Sequence, residues 1–314
     1  MLNRRHIRIK VMQIVYAFKG SESDDLKIQE RALLKSMDSM YDLYLLLMSL
    51  LVEVNYKALD YLEKSQKKHL ATQAEINPNK KFIKNEVLKL LRLNVHFKER
   101  LEKRNIDNWK LDNEYVDVIF KELIASDLYK NHMSNTISSF SEDKQFVIDF
   151  FKQIVAPNDK LYEYFEDKNI TWLDDLPVVN TAIVKLFKKL KPEPSVYYFV
   201  PRLFKDLDDK TFAVDLLAKT ILNSSAFSKE VEGKTQNWDK DRIANIDFVL
   251  LKMAICEFTR FPSIPTKVSI NEYLEIAKEY STPKSSVFIN GILDNIVKEY
   301  ELKGTLNKSA RGMM

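Results

Sequence analysis

The sequence predicts an all-α protein, and three observations carry that prediction. Leu, Lys and Glu, which favour helices, dominate nearly every window. Glycine is scarce, with five in 314 residues, scattered at Gly20, Gly233, Gly291, Gly304 and Gly312. No segment shows the two-residue alternation of a half-buried strand. The lack of clustered glycine also argues against phosphate-cradling loops and dinucleotide folds, and so against Rossmann-type methyltransferase chemistry.

The first element is a helix carrying Ile7, Val11, Ile14, Val15 and Phe18 on one stripe. Gly20 ends it, and Ser21 to Asp25 form a polar break. Arg4, Arg5 and Arg8 lie off the stripe and are expected to face solvent. A second helix runs from about Leu26 towards Lys64, burying Leu33, Met37, Met40, Leu43, Leu47 and Leu50. Residues 65–81, with Asn77-Pro78-Asn79, read as a polar linker. Phe82 to Arg104 and Glu114 to Lys130 follow as helices, the latter with Val118, Leu123 and Leu128 available to the core. Ser141 is the expected N-cap of the next helix, ahead of Glu142 and Asp143 in its first turn.

Residues 142–175 shifted by 66 onto 208–241 give eight identities in 34 positions. Asp143-Lys144-x-Phe146-x-x-Asp149 falls on Asp209-Lys210-x-Phe212-x-x-Asp215, Trp172 on Trp238 and Asp175 on Asp241. This reads as a duplicated helix-loop-helix unit, with too few copies for a solenoid. Pro192 and Pro194 mark a break. Pro262, Pro265 and Pro283 then separate helices at about 240–260, 267–280 and 285–299. The tail from Lys303 has no acid and is expected to fray.

Charge is distributed unevenly. The chain carries a net +4, yet residues 57–104 alone hold thirteen Lys or Arg against six Asp or Glu. Residues 1–20 carry Arg4, Arg5, Arg8, Lys10 and Lys19 with no acid. A basic face and an acidic face suit a polyanion and a protein partner; solvated helix faces are the plainer reading for 57–104. The single Cys256 and the absence of an apolar run of about 18 residues suit a reduced, cytoplasmic setting without a membrane.

No catalytic constellation emerges. His6, His69, His96 and His132 are isolated from one another, without a second ligand at helical spacing. Asp174-Asp175 and Asp208-Asp209 sit at helix starts, where capping explains them. Cys256 reads as core. Arginines, by contrast, make charge-assisted bonds to phosphate, and Tyr16, one turn beyond Gln13, can stack on an unpaired base.

These ends of the chain resemble the NusB family of transcription antitermination factors. Arg4-Arg5-His6-Ile7-Arg8 leads to Gln13-Ile14-Val15-Tyr16 at the family's spacing. Leu251-Lys252-Met253-Ala254-Ile255-Cys256-Glu257-Phe258 matches with Lys for Arg and Phe for Leu. Pro265-Thr266-Lys267-Val268-Ser269-Ile270-Asn271-Glu272 matches in full, and Phe288 to Asp294 departs only by Ile for Val. The resemblance covers about residues 1–20 and 207–300.

It implies a NusB-like helical bundle enlarged by a helical insertion. Residues 1–56 would supply N-terminal helices, 57–205 the insertion, 206–303 a C-terminal subdomain and 304–314 a basic tail. It further implies a non-enzymatic, cofactor-free adaptor that binds boxA-type leader RNA together with NusE, a small-subunit ribosomal protein. Through them it would act on the RNA polymerase elongation complex, chiefly in rRNA operons. By position Arg4, Arg5, Arg8, Gln13 and Tyr16 would contact RNA, while Asp247 and Phe288 would meet NusE. Lys284 stands in a loop that is acidic in many members. Asn271-Glu272 is expected to cap its helix and Gly291 to permit close helix packing. A protein-only helical scaffold is the alternative. A non-catalytic domain of an RNA methyltransferase is disfavoured, because no cofactor-binding domain follows residue 300.

Overall fold

The computed structural model describes residues 2–18, 25–67, 72, 76–235 and 243–309. Fifteen α-helices and no strand occur among the described residues, so the chain is all-α. The expected helix end at Gly20, the break at 21–24, part of the 65–81 linker, Trp238, Asp241 and Arg311 lie outside them.

The chain divides into two compact units, one of residues 38–203 (with Met1) and one of residues 2–37 and 204–314. The second unit contains α1 (Arg4–Phe18), which packs against the helices Leu207–Leu222, Asn245–Arg260 and Thr266–Tyr280. Ile7 and Val11 are fully buried, and Ile9 and Met12 join them from outside the predicted stripe. A 15-residue helix covered on three sides cannot leave every off-stripe residue in water. That is why Arg8 and Lys10 are buried as well.

Helix α2 (Leu26–Gln66) begins in this unit and continues into the other. The six residues expected on its apolar side are all buried. From Met40 to Val54 nearly every residue is buried, the mark of a helix enclosed on all faces.

Within residues 38–203, asparagine and serine caps break helices that periodicity alone would run together. The expected Phe82–Arg104 helix is instead α3 (Glu86–Leu93) and α4 (Val95–Lys103). Asn94, at φ −68° and ψ 113°, ends the first and starts the second, its side chain accepting the Phe97 N–H. Further on, Ser126 divides α6 (Asn113–Ala125) from α7 (Asp127–His132), which follow the short α5 (Asn108–Leu111). Its hydroxyl accepts the Tyr129 N–H. The core side of α6 is Val116, Ile119, Phe120 and Leu123, while Val118 is only half-buried. The N-cap of α8 (Phe140–Phe150) is Ser139 rather than Ser141, since its hydroxyl accepts the Glu142 N–H. A π-helical turn (Phe151–Val155), α9 (Asp159–Lys168) and α10 (Thr171–Lys189) complete this unit.

The two copies of the suspected duplication share a burial pattern where both are described. Asp143, Phe146 and Phe150 of α8 are buried, as are Asp209, Phe212 and Leu216 of α11 (Leu207–Leu222). Both aspartates accept bonds from another helix, Asp143 from the Glu86 N–H and Asp209 from Arg4.

After α12 (Ser224–Lys234), α13 (Asn245–Arg260), α14 (Thr266–Tyr280) and α15 (Ser285–Leu302) pack on one another. The tail is anchored rather than frayed as far as it is described. Lys308 Nζ donates to the carbonyls of Glu257 and Phe261 at 3.1 and 3.0 Å, and Ser309 bonds Pro262 O. A cation on the last carbonyls of α13 satisfies acceptors that the helix leaves open. Gly291 meets nothing within 4 Å of an added Cβ. It therefore permits no close packing among the described residues, contrary to expectation.

Candidate nucleic-acid interface

The start of α1 places three arginines in three different environments. Arg8 is 2% exposed. Its Nε and Nη2 donate to the two carboxylate oxygens of Glu257 at 2.6 and 2.9 Å, and Glu257 is fully buried. Ser269 Oγ and Tyr273 OH donate to the same carboxylate at 2.6 and 2.7 Å. Desolvation alone would raise the Glu257 pKa, but the Arg8 charge and these hydrogen bonds hold it below the usual carboxylate range. Burial likewise drives the Tyr273 hydroxyl well above its ordinary value. Arg8 is thus held as a structural cation at the floor of the cleft, with little surface left for a ligand.

Arg4 and Arg5 sit at the surface. Arg4 donates through Nε to Asp209 at 3.1 Å, and 44% of its side chain stays exposed. Its guanidinium lies 5.0 Å from the Phe212 ring centroid. Arg5 makes a two-point pair with Glu272 at 2.8 and 3.1 Å and is 39% exposed. Glu272 therefore receives an arginine instead of capping its helix, which has no side-chain cap bond. The two arginines rim a cleft of about 510 Å³ whose wall includes Asn3, Ile264, Pro265 and Val268. Asn3 caps the first turn of α1, with Oδ1 accepting the His6 N–H at 3.0 Å.

Each arginine is paired with a carboxylate, and Glu272 itself lines the cleft, so the guanidinium groups are pre-oriented while the local charge is largely balanced. Farther along α1, Tyr16 is 49% exposed and Gln13 is half-buried.

The positions expected to meet a protein partner behave differently. Asp247 is 4% exposed. Its oxygens accept Ser281 and Ser285 hydroxyls at 2.6 and 2.7 Å, which fastens the 281–285 turn to α13. Asp247 thus has little surface left for a partner and serves the turn instead. Phe288 is half-buried beside the exposed Val287 and Gly291, and Lys284 is exposed.

Sequence reasoning missed Glu257 as the hub of the site. Its signal was present, since Glu257, Ser269 and Tyr273 lie in or beside two of the three motifs quoted for the C-terminal half. Elsewhere, Cys256 is buried, and desolvation pushes its thiol up to about 12, as expected of core. No group of His, Cys, Asp or Glu suited to a metal occurs among the described residues. No helix among them is long and apolar enough to cross a membrane.

The NusB family model matches residues 202–298. The transcription antitermination protein NusB of Salinibacter ruber is 40% identical over 112 residues, covering 36% of this chain and 70% of that protein. Its counterpart in Chloroherpeton thalassium is 42% identical over 109 residues, 35% of this chain and 52% of that protein. That of Geotalea daltonii is 42% identical over 86 residues, 27% of this chain and 59% of that protein. The chain belongs to the NusB family, a family of transcription antitermination proteins. No solved structure matches it.

Proposed function

We propose that the protein is a non-enzymatic, cytoplasmic antitermination adaptor that grips boxA-type leader RNA at the start of α1, together with the ribosomal protein NusE. The observation that carries this reading is the cleft rimmed by Arg4 and Arg5. Both guanidinium groups are held in place by carboxylates, and both remain partly exposed. Phosphate contacts of this kind fix register, and an exposed aromatic such as Tyr16 then reads an unpaired base. Gln13 would contribute a polar contact. Arg8 supports the cleft from beneath. Phe288, with its exposed neighbours Val287 and Gly291, is the candidate contact for NusE. Joined in this way, the complex would act on elongating RNA polymerase in rRNA operons.

Residues 57–205 form the proposed insertion, and 206–303 with the first helices form the family core. The test is a comparison of boxA and scrambled oligoribonucleotides, each with and without NusE. A preference for boxA that NusE strengthens is expected. Equal binding to both sequences, with partner association surviving loss of residues 1–10, would favour a protein-only scaffold.

A further inference from the structure

Residues 38–203 carry a surface that the cleft on α1 does not explain. Asn94 Nδ2 donates to Val196 O at 2.9 Å, joining the start of α4 to the 190–206 connection. At that junction His96 stacks on Tyr197, ring centroids 4.1 Å apart and planes 19° apart. Tyr197 is nevertheless 62% exposed, and Val95 and Val196 beside it are 62% and 61% exposed. His96 is half-buried and its Nδ1 lies 3.0 Å from a Glu99 carboxylate oxygen, so the face the stack offers to solvent is that of Tyr197, flanked by exposed valines.

The charge around it identifies the occupant. Residues 80–104 hold nine Lys or Arg against three Glu, one of them Glu99 beside His96, and residues 185–203 hold five against one. These two basic segments, far apart in sequence, meet at the stack. Some of their charge is consumed locally, Lys81 by Glu142 and Arg104 by Asp42. Lys98 and Lys191 remain exposed within a few residues of the rings, as do Lys188 and Lys189 at the end of α10. A stacking platform set in a cationic field is the recognition chemistry of single-stranded nucleic acid. An acidic protein would be drawn to the same charge, but it would not account as directly for an exposed tyrosine held flat against a histidine.

We infer that the His96–Tyr197 stack and its flanking lysines are a second contact for single-stranded RNA, engaging transcript outside the segment held at α1. This rests on the RNA-binding reading above, and the experiment separates the two. Full-length protein is titrated with oligouridylates of about 10 and about 30 nucleotides, spanning one and several site lengths.

Per available register, the parent should bind the longer probe about tenfold more tightly, a gain beyond the statistical one that a single site has on any longer strand. His96→Ala with Tyr197→Ala should abolish that gain, and Tyr197→Phe should keep it. Arg4→Ala with Arg5→Ala should weaken both probes while preserving the gain. Ultraviolet crosslinking of the parent to the longer probe should label the peptide containing Tyr197.

A gain that survives loss of both rings, the absence of any gain in the parent, or crosslinks confined to other peptides would overturn the inference. A gain that depends on the rings while both affinities ignore Arg4 and Arg5 would overturn the α1 reading and leave this one standing. Because Tyr197 is exposed and His96 lies half-buried at the surface, the double variant should fold; Lys188→Ala with Lys191→Ala tests the same surface through charge alone and should also reduce the gain.

Discussion

Replacing Arg8 by Met should unfold much of the protein's margin of stability without touching an RNA contact. Arg8 is 2% exposed and Glu257 fully buried, so the substitution leaves a carboxylate in the core with its counter-ion removed. Two neutral donors, Ser269 and Tyr273, remain on it. Removing one partner of a buried pair costs about 3–5 kcal/mol, because the remaining charge is uncompensated. Two neutral hydrogen bonds offset part of that, which places the expected loss near the lower end, at about 3 kcal/mol. Against a typical domain stability of about 5–15 kcal/mol this is severe.

Urea unfolding followed by far-ultraviolet circular dichroism measures the loss. Adding Glu257→Gln to Arg8→Met should recover part of it, since the amide keeps an acceptor for Ser269 and Tyr273 without the charge. Below its melting transition, the Arg8→Met protein should bind RNA with an unchanged salt slope. A loss below about 1 kcal/mol, the range of exposed pairs, would refute the reasoning. So would a flattened salt slope in the folded variant.

Three further outcomes are expected. Gly291→Ala should stabilise the protein by about 0.5–1 kcal/mol in the same urea assay, because an exposed glycine inside a helix carries an entropic cost and its added Cβ meets nothing. Any accompanying loss of partner binding would mark that face as an interface. Asp247→Ala should cost about 1–3 kcal/mol by freeing the Ser281 and Ser285 hydroxyls and the turn they fasten, measurable as a lower urea midpoint. Acid should destabilise the unit containing Glu257. Its carboxylate is held below the ordinary value near 4.3, so its contribution is complete above that pH and is lost as pH falls through the folded pKa. Glu257→Gln should flatten this acid limb in stability measured against pH.

Periodicity made most of the fold legible. Ile7 and Val11 announced the buried stripe of α1, and prolines placed the divisions among the last three helices. Breaks inside continuous periodic stretches were not legible, because Asn94 and Ser126 terminate helices through side-chain caps that leave the apolar rhythm intact. At the site, the presence of arginines could be read but their accessibility could not. Arg8 differs from Arg4 because of Glu257, 249 residues away in sequence. Asp247 looked like a surface acid for the same reason, its serine partners lying more than thirty residues downstream. Lys308 seemed to belong to a loose basic tail, whereas its acceptors are main-chain carbonyls that no sequence pattern advertises.

The account stands or falls on whether Arg4 and Arg5 hold phosphate. Affinity for boxA RNA, measured across a series of salt concentrations, is compared between the parent and an Arg4→Ala, Arg5→Ala variant. Loss of two phosphate contacts on a single strand should weaken binding and reduce the slope of log affinity against log salt by about 1.4. A variant that folds normally yet keeps both the parent's affinity and its slope would contradict the account.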